Sequence, residues 1–189
     1  MSDEDRRAWD ARCYRWWPEQ AHGHGDWIAS FIASTVPRDY VMEVGGWRGD
    51  HAASMLKTFP DLRGWTNFEF CDEAVKNPKC VDPRYRAMVP HRFRWWEDMR
   101  LPEAPMLVLS HVIEHLSPED LKGLVGAAAG IPNIYVEAPL PSVGTEWMGY
   151  LGTHVLPWTF REVDDLFTMA GYRVQQNYPE ARVYRRKDV

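Results

Sequence analysis

Two acids, a glycine cluster and two histidines are the residues of this 189-residue chain whose types and spacing could do chemistry. Glu43 stands two residues before Gly45 in YVMEVGGWRGD, with Gly46, Trp47 and Gly49 following, and Glu69 closes the next apolar run. Glycine serves where backbone must take positive φ or pass close to a ligand, and a helix starting just behind offers unpaired N–H groups. A carboxylate at a strand tip accepts hydrogen bonds from both hydroxyls of a ribose. Glu97 with Asp98, and Ser110 with His111, stand at the ends of two further apolar runs. His111 and His154 have the ring chemistry to take a proton near neutral pH. His111, Glu114 and His115 spell HxxEH, a zinc-peptidase signature whose three residues share a face when helical. Such a peptidase needs a further ligand on a later helix and a larger chain, so that reading is set aside. The alternative is that Glu114 and His115 tie the segment to neighbouring backbone.

The elements that must position these groups follow from periodicity. Residues 3–17 carry Trp9, Cys13 and Trp16 at helical spacing, Pro18 stops them, and His22 and His24 fall in a loop. Asp26 caps a helix over Trp27–Thr35. Tyr40–Val44 is a strand, Asp50–Thr58 a helix stopped by Pro60, Leu62–Phe70 a strand, and EFCDEAVKN the start of a short helix. Residues 77–90 hold three prolines and are expected to be irregular, with the third strand at Arg92–Trp96. Met106–Ser110 reads as a strand buried on both faces. The segment behind it divides into two helical pieces, the second starting at Ser117-Pro118-Glu119-Asp120. Asn133–Ala138 is a fifth strand, residues 139–158 a long loop, and Thr159–Ala170 a helix ended by Gly171. Tyr172–Asn177 and Arg182–Arg186 form a closing antiparallel pair.

Strands alternating with helices imply a doubly wound α/β fold: a mostly parallel sheet of about seven strands, an antiparallel C-terminal strand, and helices on both faces. Ligands in such sheets bind at the carboxyl ends of the strands, near the switch in strand order, where the acids and histidines above are expected to gather. We read one domain, with residues 1–36 a helical lid and 37–189 the core. GxGxxG fails at Trp47 and Asp50, and no GK[ST] ending supports a phosphate loop.

Composition narrows the class. A net charge of −5 gives no general attraction for nucleic acid or anionic membrane. No apolar run approaches a membrane span, and the charged start MSDEDRRAWD lacks a secretory core, so the expected compartment is the cytoplasm. Three cysteines with no CxxC pair argue against a disulfide framework.

Four segments in order, VMEVGGWRG, FEFCDEAV, LVLSHVIEHL and THVLPWTFREVDDLFTMAGYRV, resemble the class I S-adenosylmethionine-dependent methyltransferases, from about Tyr40 to Val174. The resemblance implies a Rossmann-like core and S-adenosylmethionine as cofactor. Glu43, Gly45, Gly46 and Gly49 would then cradle its methionine part and Glu69 its ribose, with Phe70 against the adenine. Glu97 or Asp98 would face the adenine amino group, and Ser110 and His111 would line the pocket beneath the sulfonium. Trp47 departs from the family, which commonly has its middle glycine there; its side chain must swing away from the ligand or cover it. Some similar enzymes bind a divalent metal through an ExxEH at this position, which would make Glu114, His115 and His154, with His111, the metal alternative. The metal-free reading is preferred.

The expected reaction is methyl transfer to an oxygen or nitrogen of a small-molecule acceptor, walled by Trp16, Trp17, Trp147, Tyr150 and Trp158, with His111 or His154 as base. A non-catalytic domain of the same fold, binding a nucleoside or a partner, is the competing class. RYRAMVPHRFRWW, residues 84–96, interleaves arginines with aromatics as single-strand nucleic-acid binders do, but strand alternation explains it equally and the acidic total weighs against it.

Overall fold

The computed structural model describes residues 25–35, 38–90, 106–138 and 159–188. The expected helix over residues 3–17, His22, His24, the strand at Arg92–Trp96, Glu97, Asp98 and the 139–158 loop with His154 lie outside them. The chain divides into two compact units, Met1–Trp95 and Trp96–Val189.

The first unit holds helix α1 (Gly25–Ala33), strand β1 (Tyr40–Val44), α2 (Asp50–Thr58), β2 (Gly64–Phe68), α3 (Asp72–Lys76) and β3 (Tyr85–Met88). Its strands lie in the order β3-β2-β1 and are all parallel, with Tyr40 opposite Gly64 and Val44 opposite Phe68. β2 is buried along its whole length, as a strand covered on both faces must be. α2 buries Ala52, Met55 and Leu56, the i, i+3, i+4 stripe its sequence carries, and α1 packs against it.

β3 corrects the expectation of irregular backbone over residues 77–90. Pro78, Pro83 and Pro90 flank the strand without entering it, and the parallel ladder from Trp65–Tyr85 to Phe68–Met88 sets its register. Its weak sequence signal has a physical cause: only one side of each pleat is covered, and Arg86 and Met88 face solvent.

The second unit holds β4 (Met106–Ser110), a 3-10 turn at Ile113–His115, α4 (Pro118–Ala127), β5 (Asn133–Glu137), α5 (Phe160–Met169), β6 (Tyr172–Asn177) and β7 (Ala181–Arg186). The strand order is β4-β5-β7-β6; β4 and β5 run parallel, while β7 is antiparallel to both of its neighbours. The fold class is therefore the expected one, seven strands in mixed α/β order with an antiparallel C-terminal end. Ser117 caps α4 by accepting the Asp120 N–H at 3.1 Å, with Pro118 in the first turn. Thr159 and Glu162 close a reciprocal capping box on α5. Phe167 of α5 stacks on Tyr184 of β7 at 4.0 Å and meets Tyr172 of β6 edge-on, which fixes that helix on its hairpin.

Candidate functional site

The turn after β1 is built on three positive φ angles, 76° at Gly45, 49° at Trp47 and 80° at Gly49. An L residue enters this region at a cost of roughly 1–2 kcal/mol, so Trp47 must be held there. Three hydrogen bonds from β2 and its end do so. Asn67 Oδ1 accepts the Gly46 N–H at 3.0 Å, Asn67 Nδ2 donates to the Trp47 carbonyl at 2.9 Å, and Glu69 Oε2 accepts the Trp47 N–H at 2.9 Å. Gly49 is required twice over, since its φ is left-handed and a Cβ would stand 2.6 Å from the Tyr85 ring.

Glu43 sits inside the first unit, fully buried. Its Oε1 lies 2.7 Å from His51 Nδ1 of α2, and its Oε2 accepts the Trp65 Nε1–H of β2 at 2.8 Å. A Cβ on Gly46 would run into this carboxyl, so the acid lies directly behind the turn and supports it from within. Glu69, at the end of β2, is 6% exposed. Besides Trp47 it accepts the Cys71 N–H at 2.9 Å on Oε1. The ladder pairs Glu43 with Asn67 and Val44 with Phe68, so Glu43, the turn and Glu69 share one end of the unit's sheet. Phe70 follows, half-buried.

In the second unit Ser110 ends β4, buried and opposite Glu137 of β5. His111 takes φ 53° and donates its backbone N–H to the Glu137 carbonyl at 2.9 Å. Its ring stands between two buried carboxylates, with Nδ1 3.5 Å from Glu114 Oε1 and Nε2 3.8 Å from Glu137 Oε1. Glu137 Oε2 accepts the Tyr135 hydroxyl at 2.9 Å. His115 Nε2 lies 3.8 Å from Glu114 Oε1. Burial, the largest influence on Glu114, works to raise its carboxyl, but the hydrogen bond from His111 and the charges of His115 and His111 outweigh it and hold it below the usual carboxylate range.

HxxEH does not form one α-helical face. His111 has left-handed backbone and only Ile113–His115 make a 3-10 turn, because Pro118 forces Ser117 into extended backbone and the α-helix starts behind it. Among the described residues no group of three or more His, Cys, Asp or Glu is placed to hold a metal ion.

Asn67, Tyr85 and Glu137 are not among the residues expected to form this site from the sequence. Asn67 carried a usable signal: an amide inside a strand that is buried throughout must find partners, and the partners are the turn. Glu137 repeats the pattern of an acid ending an apolar strand. Tyr85 carried none, since its role depends on the register of an edge strand.

No protein-family model matches the sequence, and no curated protein sequence matches it. Solved structures do match. An O-methyltransferase family 2 protein from Planctomyces limnophilus, in complex with apigenin, aligns with 98% of this chain and 62% of its own at 15% identity and a TM-score of 0.66. Human N-acetylserotonin methyltransferase, in complex with SAM, aligns with 97% of this chain and 55% of its own at 16% identity and 0.64. The mitomycin 7-O-methyltransferase MmcR aligns with 86% of this chain and 52% of its own at 19% identity and 0.62. The chain thus spans little more than half the length of these three proteins. At such identities the likeness is one of fold, and the fold is that of the class I S-adenosylmethionine-dependent methyltransferases.

Proposed function

We propose that this chain transfers a methyl group from S-adenosylmethionine to an oxygen or nitrogen of a small-molecule acceptor. The observation that carries the reading is the junction at one end of the first unit's sheet, where the Glu69 carboxylate holds the Trp47 N–H at 2.9 Å. The likeness of fold to a methyltransferase solved with SAM supports it.

The donor set fits such a cofactor. The Glu69 oxygens accept the Trp47 and Cys71 backbone N–H groups, which fixes the carboxylate in place at the end of β2, and a carboxylate so placed suits the two hydroxyls of a ribose. The positive φ angles at Gly45, Trp47 and Gly49 bend the backbone sharply at the same end of the sheet. We assign this turn to the methionine part of the cofactor, Glu69 to the ribose and Phe70 to the adenine. Glu97 or Asp98 is assigned to the adenine amino group from the sequence alone.

When bound, the cofactor supplies a methyl group activated by a sulfonium. The protein's work is to hold donor and acceptor in line, worth about 7–11 kcal/mol at best. Where the acceptor must shed a proton, His111 is the group we assign to take it, steadied by Glu114 and Glu137; His154 is the second candidate. We place the reaction in the cytoplasm, where the buried Cys71 and Cys80 stay reduced. Among the described residues no helix is long and apolar enough to cross a membrane.

Calorimetry with S-adenosylmethionine and S-adenosylhomocysteine tests the assignment; saturable binding of both is expected, and none at millimolar concentration retires it. A homocysteine-release assay over small-molecule acceptors then identifies the class of substrate, and the rate should survive EDTA.

A further inference from the structure

We infer that Asn67 is a positioning residue for cofactor binding, acting through the backbone of Trp47; the inference rests on the function proposed above. Asn67 is fully buried in the middle of β2, opposite Glu43. Its single amide holds the Gly46–Trp47 segment at two points, accepting from the Gly46 N–H at 3.0 Å and donating to the Trp47 carbonyl at 2.9 Å. The same Nδ2 lies 3.3 Å from the Tyr85 hydroxyl, and the Tyr85 ring is what closes the space beside Gly49. One side chain therefore ties the middle of the turn to the strand beneath it and meets the hydroxyl of the ring that packs beside Gly49.

The tie has work to do because residue 47 is tryptophan. A glycine there would take positive φ at no steric cost, whereas an L residue relaxes out of it unless its peptide groups are fixed on both sides. Glu69 fixes the N–H and Asn67 the carbonyl. The chain thus achieves with an amide and a carboxylate what a glycine achieves by lacking a side chain. The Glu69 carboxylate is aimed by the same arrangement, since the N–H it accepts belongs to the residue Asn67 holds.

The test is a double-mutant cycle on S-adenosylhomocysteine affinity, with Asn67→Ala, Trp47→Gly and the pair, each measured by calorimetry and by thermal unfolding. Loss of two buried hydrogen bonds to the turn is expected to weaken binding by about tenfold in the Trp47 background. In the Trp47→Gly background, where nothing need be held in left-handed geometry, Asn67→Ala should cost less than about threefold. A residue that merely fills the core would give equal losses in both backgrounds, and that result overturns the inference. Asn67→Ser, which replaces the amide's separate donor and acceptor with a single shorter hydroxyl, is run in parallel so that poor folding of the alanine variant leaves the question decidable. Wild-type protein that binds and an Asn67 variant that binds within twofold of it overturn the positioning role alone. Wild-type protein that does not bind overturns the cofactor reading itself.

Discussion

Glu69 accepts the backbone N–H of Trp47 at 2.9 Å, so the acid that ends one strand and the turn that follows its neighbour are a single construction. A change at either residue must reach the other. Glu69→Ala is expected to weaken S-adenosylhomocysteine binding by about 1.5–3 kcal/mol, the range for hydrogen bonds to a charged group. Calorimetry reads it directly, and unchanged affinity would remove Glu69 from the site.

Gly49→Ala should destabilise the fold by about 1–3 kcal/mol, because the new Cβ meets the Tyr85 ring and the backbone is left-handed. Adding Tyr85→Ala relieves the steric part only. Urea denaturation of the two single variants and the pair should therefore give a sum that exceeds the double-mutant loss. Strict additivity would mean that the ring and the glycine do not meet.

Arg84 braces the start of β3: its guanidinium donates to the Leu56 carbonyl at 2.8 Å, the Leu62 carbonyl at 2.9 Å and the Pro60 carbonyl at 3.1 Å. Lysine has the charge without the planar fork, so Arg84→Lys should lose most of the stability that Arg84→Ala loses. Equilibrium unfolding of both variants checks it; full retention by lysine would show that charge alone suffices.

Acid should weaken the same brace. The Arg84 hydrogen bond, with the Arg84 N–H and charge beside it, lowers Asp82 to about 2. A depressed carboxyl stabilises the folded state fully above its ordinary value near 3.8 and loses that contribution as pH falls through about 2. Denaturation midpoints taken from pH 5 downward should fall less steeply in Asp82→Asn than in the wild type. Parallel curves would contradict the pairing.

Thr159→Ala removes one half of the capping box on α5 and should cost about 1 kcal/mol. Because α5 rests on the closing hairpin through Phe167 and Tyr184, the loss should appear as a lower global midpoint in thermal unfolding. An unshifted midpoint would show that tertiary contact alone holds the helix end.

The sequence by itself determined the elements whose periodicity is strong. β1, α2 and β4 fall on the expected residues because continuous burial and an i, i+3, i+4 stripe leave one solution each. It also placed Glu43, Gly45, Gly49 and Glu69 at one end of adjacent parallel strands, since strand ends are set by where apolar runs stop. Only the tertiary structure decided what each group faces. The resemblance implies a ligand contact for Glu43; the structure shows its carboxylate between His51 and Trp65, because a side chain's direction depends on the partners that register brings to it. β3 was hidden for the same reason: an edge strand is ordered by its neighbour's hydrogen bonds, and those are not written in its own four residues.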